Sequence, residues 1–387
     1  MSALRLLDNA LLLDPEAQAP APGALLLEGA RIRARLAPDE RAPEAAERVD
    51  LGGRALAPGF VDVHYPGALV FGDVGEAAQR LGQAGRALLA EGTTAFLPTT
   101  VAWPQAELLA RVEAWAAALD GAGAAGAVPL GLHLEGPWIR PEAAGAQPAA
   151  GIRPFRVAEG EEVLARAAGA IRMVTFAPEI EGAAALQELL VRRDVCPALG
   201  HSRAAAEAMT QAIEAGARHV THLFNAMGGL HHRERGVAGV ALADDRLTCD
   251  LICDGVHVHP DVVRLAARAK GEKLLWITDR VDPNALGFGA GRVREDGQAL
   301  RLPDGTLAGS CLGMDRAVRN AEDFGACSRL ESVAAATLRP ARLLGLAPER
   351  GTLRPGARAD LVVLDRVGRV HETWLEGVRT WPAAGAV

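Results

Sequence analysis

The sequence predicts an α/β protein with two parts, a (β/α)8 barrel of the TIM type and a small β-sandwich formed by both chain ends. Three observations favour this architecture. The middle of the chain alternates short apolar runs with alanine-rich helical stretches, the apolar runs number eight, and both ends read as short strands separated by turns. We expect the sandwich to comprise residues 1–53 and 351–387, and the barrel residues 54–350.

The apolar runs are nearly continuous, which is typical of parallel strands covered by helices on their outer face. In chain order they are Leu56–His64, Thr94–Pro98, Pro129–Leu134, Met173–Ala177, Cys196–Leu199, His219–Leu223, Thr248–Ile252 and Leu274–Thr278. The clearest helical patterns are Glu76–Ala90, Gln105–Leu119, Ala204–Ala215, Pro260–Lys270 and Ser332–Leu344.

Composition narrows the class of protein. Hydrophobic residues make up 49% and charged residues 23% of the 387 residues, as in ordinary globular proteins. The net charge of −7 argues against a basic nucleic-acid interface. No apolar run has membrane-spanning length, and the first eight residues lack the features of a signal peptide, so we expect a cytoplasmic protein that binds no membrane. Five widely spaced cysteines favour free thiols over a disulfide framework.

Polar residues cluster at the ends of the predicted strands, where barrels of this type carry their chemistry. Glu135, His201 and His222 can supply one carboxylate and two imidazoles to a divalent cation and leave a position open for water. Asp279 ends the eighth run and would stand beside that water as proton acceptor and then donor. A single histidine at a strand end is usually structural, as we expect for His219, but several in one chain favour a metal site.

Seven segments of the chain resemble, in the same order, the amidohydrolases and especially the N-acetylglucosamine-6-phosphate deacetylases. The segments His-Leu-Glu-Gly-Pro and Thr-His-Leu-Phe-Asn-Ala-Met are far more specific than a general amidohydrolase signature. The matching segments are Ala57–His64, Gly131–Trp138, Leu199–Ser202, Thr221–Met227, Asp254–Val258, Leu307–Ser310 and Asp360–Val363.

The resemblance implies a role for particular positions. Glu135, His201 and His222 match the metal ligands, and Asp279 matches the catalytic aspartate. The substrate-binding positions comprise phosphate contacts, a polarising residue and a sugar contact, namely Asn225, the backbone at Ala226, Arg233, Gln147 and His257. The resemblance also implies a homodimer, because Arg233 reaches into the neighbouring subunit's site in family members. The implied reaction removes acetate from the 2-acetamido group of a hexosamine 6-phosphate.

Three departures from the family pattern bear on metal and substrate. Many amidohydrolases have His-x-His on the first strand, but here Pro66 replaces the second histidine. Of the two histidine positions of this motif, only His64 can therefore make an additional metal contact. Gln147 stands where the family usually has a histidine that polarises the acetyl carbonyl, and glutamine cannot become cationic. Arg280-Val281-Asp282-Pro283 replaces a small segment after the catalytic aspartate, and we expect the charge of Arg280 to narrow or recharge the pocket.

We therefore predict one divalent ion per chain, zinc first, with iron, cobalt and manganese as alternatives. The partner is a small amino-sugar phosphate. The leading substrate is N-acetylglucosamine 6-phosphate, and N-acetylgalactosamine 6-phosphate or another N-acylated amine is the alternative. A cyclic-amide hydrolase is disfavoured, since such enzymes carry a modified lysine on the fourth strand and Met173–Glu179 has none. A non-catalytic sugar-phosphate binding protein would not need both Asp279 and three metal ligands.

Overall fold

The computed structural model describes residues 4–67, 73–122, 126–281, 294–295 and 299–382. Asp282 and Pro283, two members of the segment singled out above, lie outside these residues. No helix in the described ranges combines the length and apolar character needed to cross a membrane.

The described strands, in chain order, are β1 (Leu4–Leu12), β2 (Ala21–Glu28), β3 (Arg31–Leu36), β4 (Glu47–Asp50), β5 (Ala55–Pro58), β6 (Phe60–Tyr65), β7 (Thr93–Pro98), β8 (Val128–Pro129), β9 (Leu132–Glu135), β10 (Ile171–Phe176), β11 (Cys196–Leu199), β12 (His219–Val220), β13 (Thr248–Ile252), β14 (Leu274–Ile277), β15 (Arg294–Glu295), β16 (Ala299–Arg301), β17 (Leu307–Ser310), β18 (Leu361–Leu364), β19 (Val370–Leu375) and β20 (Val378–Trp381). The described α-helices are α1 (Ala77–Leu89), α2 (Gln105–Ala122), α3 (Val157–Arg166), α4 (Ala183–Arg192), α5 (Ala206–Glu214), α6 (Gly236–Ala243), α7 (Pro260–Lys270), α8 (Met314–Asp323), α9 (Arg329–Ala336) and α10 (Leu338–Leu343).

Both chain ends contribute to one mixed sheet, as the sequence predicts. Its strand order is β20-β19-β18-β5-β1-β2-β3, and β4 pairs with β1. Side chains alternate between its two faces, as the two-residue period of a strand requires. Leu7 and Leu25 belong to one buried cluster, whereas their neighbours Leu6 and Leu26 belong to another. The sheet therefore buries apolar side chains on both faces, and the finer arrangement as a sandwich stays a prediction.

Two parallel sheets form the middle of the described chain. The larger has the order β14-β13-β12-β11-β10-β9, and the smaller has the order β6-β7-β8. Their edges meet at both sides. A bridge joins Thr99 after β7 to His133 in β9, and another joins Gly67 after β6 to Val281 after β14. The parallel strands consequently curl around a common core, and closure into a complete eight-stranded barrel stays a prediction.

Helices pack on the outer face of these strands through one apolar stripe each. In α1 the buried residues include Leu81, Ala84 and Leu88, which recur at the spacing of a helix turn. The strands themselves are mostly buried, and β7 and β9 are buried along their whole length. This accounts for the nearly continuous apolar runs in the sequence.

The first predicted run, Leu56–His64, is two strands rather than one. The chain leaves the mixed sheet after β5, and Gly59 donates its backbone N–H to Asp360 O across 2.8 Å before β6 begins. A Cβ atom at Gly59 would lie 2.2 Å from the side chain of Thr94, so only glycine fits this crossing. The sequence carries an apolar run through both strands because both are buried, which hides the change of sheet.

Candidate metal centre and active site

Five polar side chains from separate parallel strands meet at one end of the curled sheet. Glu135 ends β9, His201 and His222 follow β11 and β12 closely, and Asp279 follows β14, while His64 lies in β6. All five strands run in the same direction, so their carboxyl ends lie together. The structure thus brings together side chains that the sequence places at separate strand ends.

Three of these residues have a left-handed backbone that ends the regular strand. The φ angles are +47° at His201, +33° at His222 and +45° at Asp279. Such angles are uncommon for residues other than glycine and persist only where surrounding contacts hold them. This turn also explains why β12 stops at Val220, although the apolar run in the sequence continues to Leu223.

Glu135, His201 and His222 form a compact buried cluster. Glu135 Oε1 lies 2.9 Å from Nε2 of His201 and 2.9 Å from Nε2 of His222, and the two Nε2 atoms are 3.1 Å apart. Their potential ligand atoms all lie within 4.8 Å of one another. One carboxylate oxygen and two imidazole nitrogens therefore face a common point, which is the donor set and spacing that a divalent cation takes.

Contacts behind the two histidines hold the ring of His201 and the backbone of His222. The Nδ1 of His201 lies 2.8 Å from the backbone oxygen of Ala143, an acceptor only, so Nδ1 carries the proton and Nε2 keeps its lone pair. The backbone N–H of His222 donates to the buried carboxylate of Asp250. The other oxygen of Asp250 lies 2.8 Å from Nε2 of His219. His219 is structural as expected, and its structural role is to hold the carboxylate that braces His222.

The charges of the cluster are strongly coupled. Burial alone would raise the pKa of Glu135, but the imidazoles of His64, His201 and His222 beside it hold that pKa well below its usual value. Burial alone would lower the pKa of His222, but the Glu135 carboxylate raises it instead. The ionised carboxylate thus retains positive charge around it, and a bound cation would replace that charge with its own.

His64 is fully buried beside this cluster and has no hydrogen-bond partner among the described residues at either ring nitrogen. Its Nε2 lies 3.5 Å from Glu135 Oε2 and 3.3 Å from Asp279 Oδ1. These carboxylates raise its pKa well above the usual value, against the opposing effect of burial. An additional metal contact by His64 stays a prediction, and its neighbour Pro66 offers no side-chain donor.

A cavity of about 440 Å³ opens above the cluster, a size suited to a small molecule. Its wall includes Glu135, His201, His222 and Asp279 from the parallel strands. It also includes four predicted substrate-binding residues, namely Gln147, Asn225, Ala226 and His257. The structure therefore brings the predicted acid-base, ligand and substrate residues to one space.

The family assignment follows from the comparison with known proteins. Residues 55–380 match the model of the amidohydrolase family. This chain belongs to the amidohydrolase family.

The relatives of 30% identity or more that cover most of this chain include deacetylases of amino-sugar phosphates. The chain is 40% identical to N-acetylglucosamine-6-phosphate deacetylase of Homo sapiens, over 88% of this chain and 87% of the human protein. It is 36% identical to N-acetylgalactosamine-6-phosphate deacetylase of Escherichia coli O157:H7, over 83% and 86% of the two chains. The crystal structure of N-acetylglucosamine-6-phosphate deacetylase from Pasteurella multocida superposes with a TM-score of 0.89, at 29% identity and over 97% and 99% of the chains. The resemblance read from the sequence motifs is confirmed.

Arg233, a predicted site residue, lies away from the cavity of its own chain. It is exposed in the loop before α6, and its Nη1 lies 2.6 Å from Nε2 of His232. It is not among the described residues that border the cavity. A contact with substrate in its own chain is therefore not seen, and the predicted contact in a partner's site stays a prediction.

The prediction for Arg280 is wrong. Its guanidinium pairs with the carboxylate of Glu91, and it is absent from the described residues that border the cavity. Its backbone, by contrast, lies at the edge of the site, where its carbonyl accepts from Gly67 N across 2.7 Å. The sequence places the residue next to Asp279 but does not specify the direction of its side chain.

Two residues at the site were missed in the sequence. Asp254 lies behind His257 and accepts from its Nδ1 across 2.6 Å. Arg301, in β16, borders the cavity beside Leu302 and Thr306. The motif Asp-Gly-Val-His contains both Asp254 and His257, so it offered a signal for Asp254. Nothing in the local sequence distinguishes Arg301 from a surface arginine.

Proposed function

We propose that this chain hydrolyses the acetamido group of N-acetylglucosamine 6-phosphate, giving glucosamine 6-phosphate and acetate. The observation that carries the proposal is the Glu135–His201–His222 cluster next to Asp279 at the base of one cavity. Metal-dependent amide hydrolysis needs these parts together, namely a cation site, a proton carrier and room for a substrate. The deacetylases described above match this chain over most of its length.

The buried donors fit one divalent metal ion per chain. The Nε2 atoms of two imidazoles and one oxygen of an ionised carboxylate suit zinc first, and iron, cobalt and manganese as alternatives. When bound, the ion supplies Lewis acidity, which lowers the pKa of water and polarises an acyl oxygen. Glu135, His201 and His222 would hold it, and Asp250 keeps the backbone of His222 in place for that purpose.

Asp279 serves as the proton carrier. Its side chain is 16% exposed and reaches the cavity, where it can accept the proton of the attacking water. The departing nitrogen must be protonated, because an amide anion is too basic to leave. The same carboxyl group then delivers its proton to that nitrogen. The contact with His64 at 3.3 Å holds the carboxylate at this position.

The remaining cavity residues would bind the sugar phosphate. Asn225 and the backbone at Ala226 are assigned to the phosphate, and His257 to the sugar. Gln147 also borders the cavity and would face the acetyl group. Arg233 would complete the phosphate site of a neighbouring subunit, since it is exposed and lies away from its own cavity, and we therefore propose a homodimer.

The finer architecture belongs to the same proposal. Edge contacts between the two parallel sheets support a closed (β/α)8 barrel within residues 54–350. The sheet formed by both chain ends buries apolar side chains on both faces, which supports a small β-sandwich from residues 1–53 and 351–387. Strand β5 also belongs to this sheet, although it lies after residue 53, the predicted end of the first part. A cytoplasmic location follows from an intermediary metabolic reaction on a phosphorylated sugar.

N-acetylgalactosamine 6-phosphate is the second candidate substrate. A relative at 36% identity is named for it, and Gln147 departs from the usual residue of the acetyl pocket. The two sugars differ only in the configuration of one hydroxyl group, which a cavity wall reads by hydrogen bonding.

A substrate comparison tests the proposal. Acetate release would be measured on N-acetylglucosamine 6-phosphate, on its galacto epimer and on unphosphorylated N-acetylglucosamine, with Zn²⁺ supplied. We expect the highest kcat/KM for the gluco phosphate and the lowest for the sugar without phosphate. A higher kcat/KM for the galacto epimer would select the second candidate, and no acetate from any of the three would reject the proposal.

A further inference from the structure

The side chain of Gln147 is held at both ends of its amide group. Its Oε1 accepts the backbone N–H of Ala102 across 2.8 Å, and its Nε2 donates to Oε2 of Glu135 across 2.7 Å. A backbone N–H can only donate, so the oxygen of the amide must face Ala102 and the NH₂ group must face the carboxylate. The orientation of this amide is therefore determined by its neighbours.

The loop around Gln147 is docked closely enough to keep this geometry. Gln147 N donates to Ala144 O across 3.0 Å, which closes a turn just before the amide. Four residues later, a Cβ atom at Gly151 would lie 1.8 Å from the backbone oxygen of Ala102, so the loop meets Ala102 at a contact that only glycine permits. Gln147 is thus held against the segment that contains Ala102, whose backbone N–H donates to its side chain.

The two oxygens of Glu135 consequently have different surroundings. Oε1 faces the Nε2 atoms of His201 and His222, each at 2.9 Å. Oε2 is occupied by the Gln147 amide at 2.7 Å and lies 3.5 Å from His64 Nε2. Only Oε1 points to the place where the two imidazoles converge.

We infer that Gln147 is a positioning residue that makes Glu135 bind the metal ion through a single oxygen. This inference rests on the proposed function, which places one divalent ion among Glu135, His201 and His222. The amide keeps Oε2 turned away from the ion and aligns Oε1 with the imidazoles. Contacts of this kind behind a metal ligand typically change metal affinity by about 10- to 100-fold.

The same contact disfavours a second ion. A carboxylate that bridges two ions usually gives one oxygen to each, and the hydrogen bond from Gln147 competes for Oε2 here. A second ion on the His64 side would also need further donors, and Pro66 supplies none where many family members have a second histidine. Gln147 and Pro66 therefore act in the same direction, one by occupying an oxygen and one by removing a ligand.

The test measures metal binding rather than turnover. Gln147→Met keeps the length of the side chain but loses both hydrogen bonds, and Gln147→Ala is a second variant in case methionine disturbs the loop. Zn²⁺ affinity is measured by competition with a chelator, and the visible spectrum of the Co²⁺-loaded protein reports the number of ligands. Gln187→Met is the matched control, because Gln187 is a buried amide that contacts Ala212 O in α5, away from the site.

We expect both Gln147 variants to bind Zn²⁺ about 10- to 100-fold more weakly than wild type, with Gln187→Met unchanged. The Co²⁺ spectrum of Gln147→Met should lose intensity, because the freed carboxylate then binds through two oxygens and raises the coordination number. Wild-type affinity and spectrum in both variants would overturn the inference, as would an equal loss of affinity in Gln187→Met. Absence of Zn²⁺ binding by the wild-type protein would instead reject the proposed function.

Discussion

The Nδ1 atom of His257 donates a hydrogen bond to Oδ2 of Asp254 across 2.6 Å. The other carboxylate oxygen accepts the backbone N–H groups of Val256 and His257, both at 2.8 Å. The side chains of His257 and Asp254 are only 4% and 5% exposed. Asp254 therefore fixes the position and the tautomer of a histidine in the cavity wall, and Nε2 is the nitrogen left to meet a ligand.

Asp254→Asn should weaken sugar binding without removing the metal. An asparagine can present its NH₂ group to Nδ1, which changes the tautomer of His257 and reverses the hydrogen-bonding character of Nε2. We expect KM for the sugar phosphate to rise about tenfold, a loss typical of one good hydrogen bond, while Zn²⁺ content stays at the wild-type level. Steady-state kinetics and elemental analysis provide the check.

The matched control for this change is Asp261→Asn, which alters the exposed carboxylate near His259 at the start of α7. It should leave KM unchanged. An unchanged KM in Asp254→Asn, or a loss of metal in that variant, would show that the Asp254–His257 contact has no part in binding the sugar.

Asp279→Asn should abolish most turnover while keeping metal and substrate. The amide is nearly the same size as the carboxylate but cannot take a proton from water. We expect kcat to fall by about a hundredfold or more, the lower end of general acid-base contributions, with nearly normal metal content. If excess metal restored turnover, Asp279 would be a support for a ligand rather than the proton carrier.

Arg233→Ala should raise KM for the phosphorylated sugar far more than for the unphosphorylated one, because its planar guanidinium suits a phosphate group. Arg235→Ala, a change in the same exposed loop, is the control. Co-expression of Arg233→Ala with Asp279→Asn tests the dimer directly. A mixed dimer has one site with both residues intact, so partial recovery of activity is expected, and no recovery would place Arg233 outside the partner's site.

The stability of the metal-free protein should depend on the buried carboxyl group of Asp62. Burial raises its pKa from 3.8 to about 7, against hydrogen bonds from Thr278 and His64. The folded state therefore holds this proton more tightly than the unfolded state. The protonated carboxyl group of Asp62 therefore stabilises the fold fully below its ordinary pKa of 3.8. This stabilisation is lost as the pH rises through about 7.

Asp62→Asn removes this titration, so we expect the loss of unfolding free energy between pH 5 and pH 8 to be smaller in the variant. Urea denaturation of chelator-treated protein at both pH values measures it, with the exposed Asp194→Asn as control. A loss as large as that of wild type would mean that Asp62 keeps the same charge in both states.

The sequence predicts the positions of the ligand-type residues well because strand ends are fixed by the apolar pattern. Glu135, His201, His222 and Asp279 each follow a buried run, and parallel strands bring their carboxyl ends together. The metal-site cluster could therefore be anticipated without coordinates.

Side-chain directions and contacts across the fold could not be anticipated. Arg280 stands next to Asp279 in the chain, yet it turns to Glu91, which is nearly two hundred positions away. The hydrogen bond from Gln147 to Glu135 depends on how a loop packs on Ala102. Such contacts arise from tertiary packing, which local pattern does not encode. The break at Gly59 was hidden for a similar reason, since two different sheets bury the residues on either side of it.

Acetate release from N-acetylglucosamine 6-phosphate, measured before and after metal removal, tests metal-dependent deacetylation. Wild-type protein loaded with Zn²⁺ should release acetate, chelator-treated protein should not, and one equivalent of Zn²⁺ per chain should restore the rate. His222→Ala should stay inactive at the same Zn²⁺ concentration, because it lacks one of the three converging donors. Acetate release that persists in the metal-free protein, or that is unaffected in His222→Ala, would contradict metal-dependent deacetylation at this cluster.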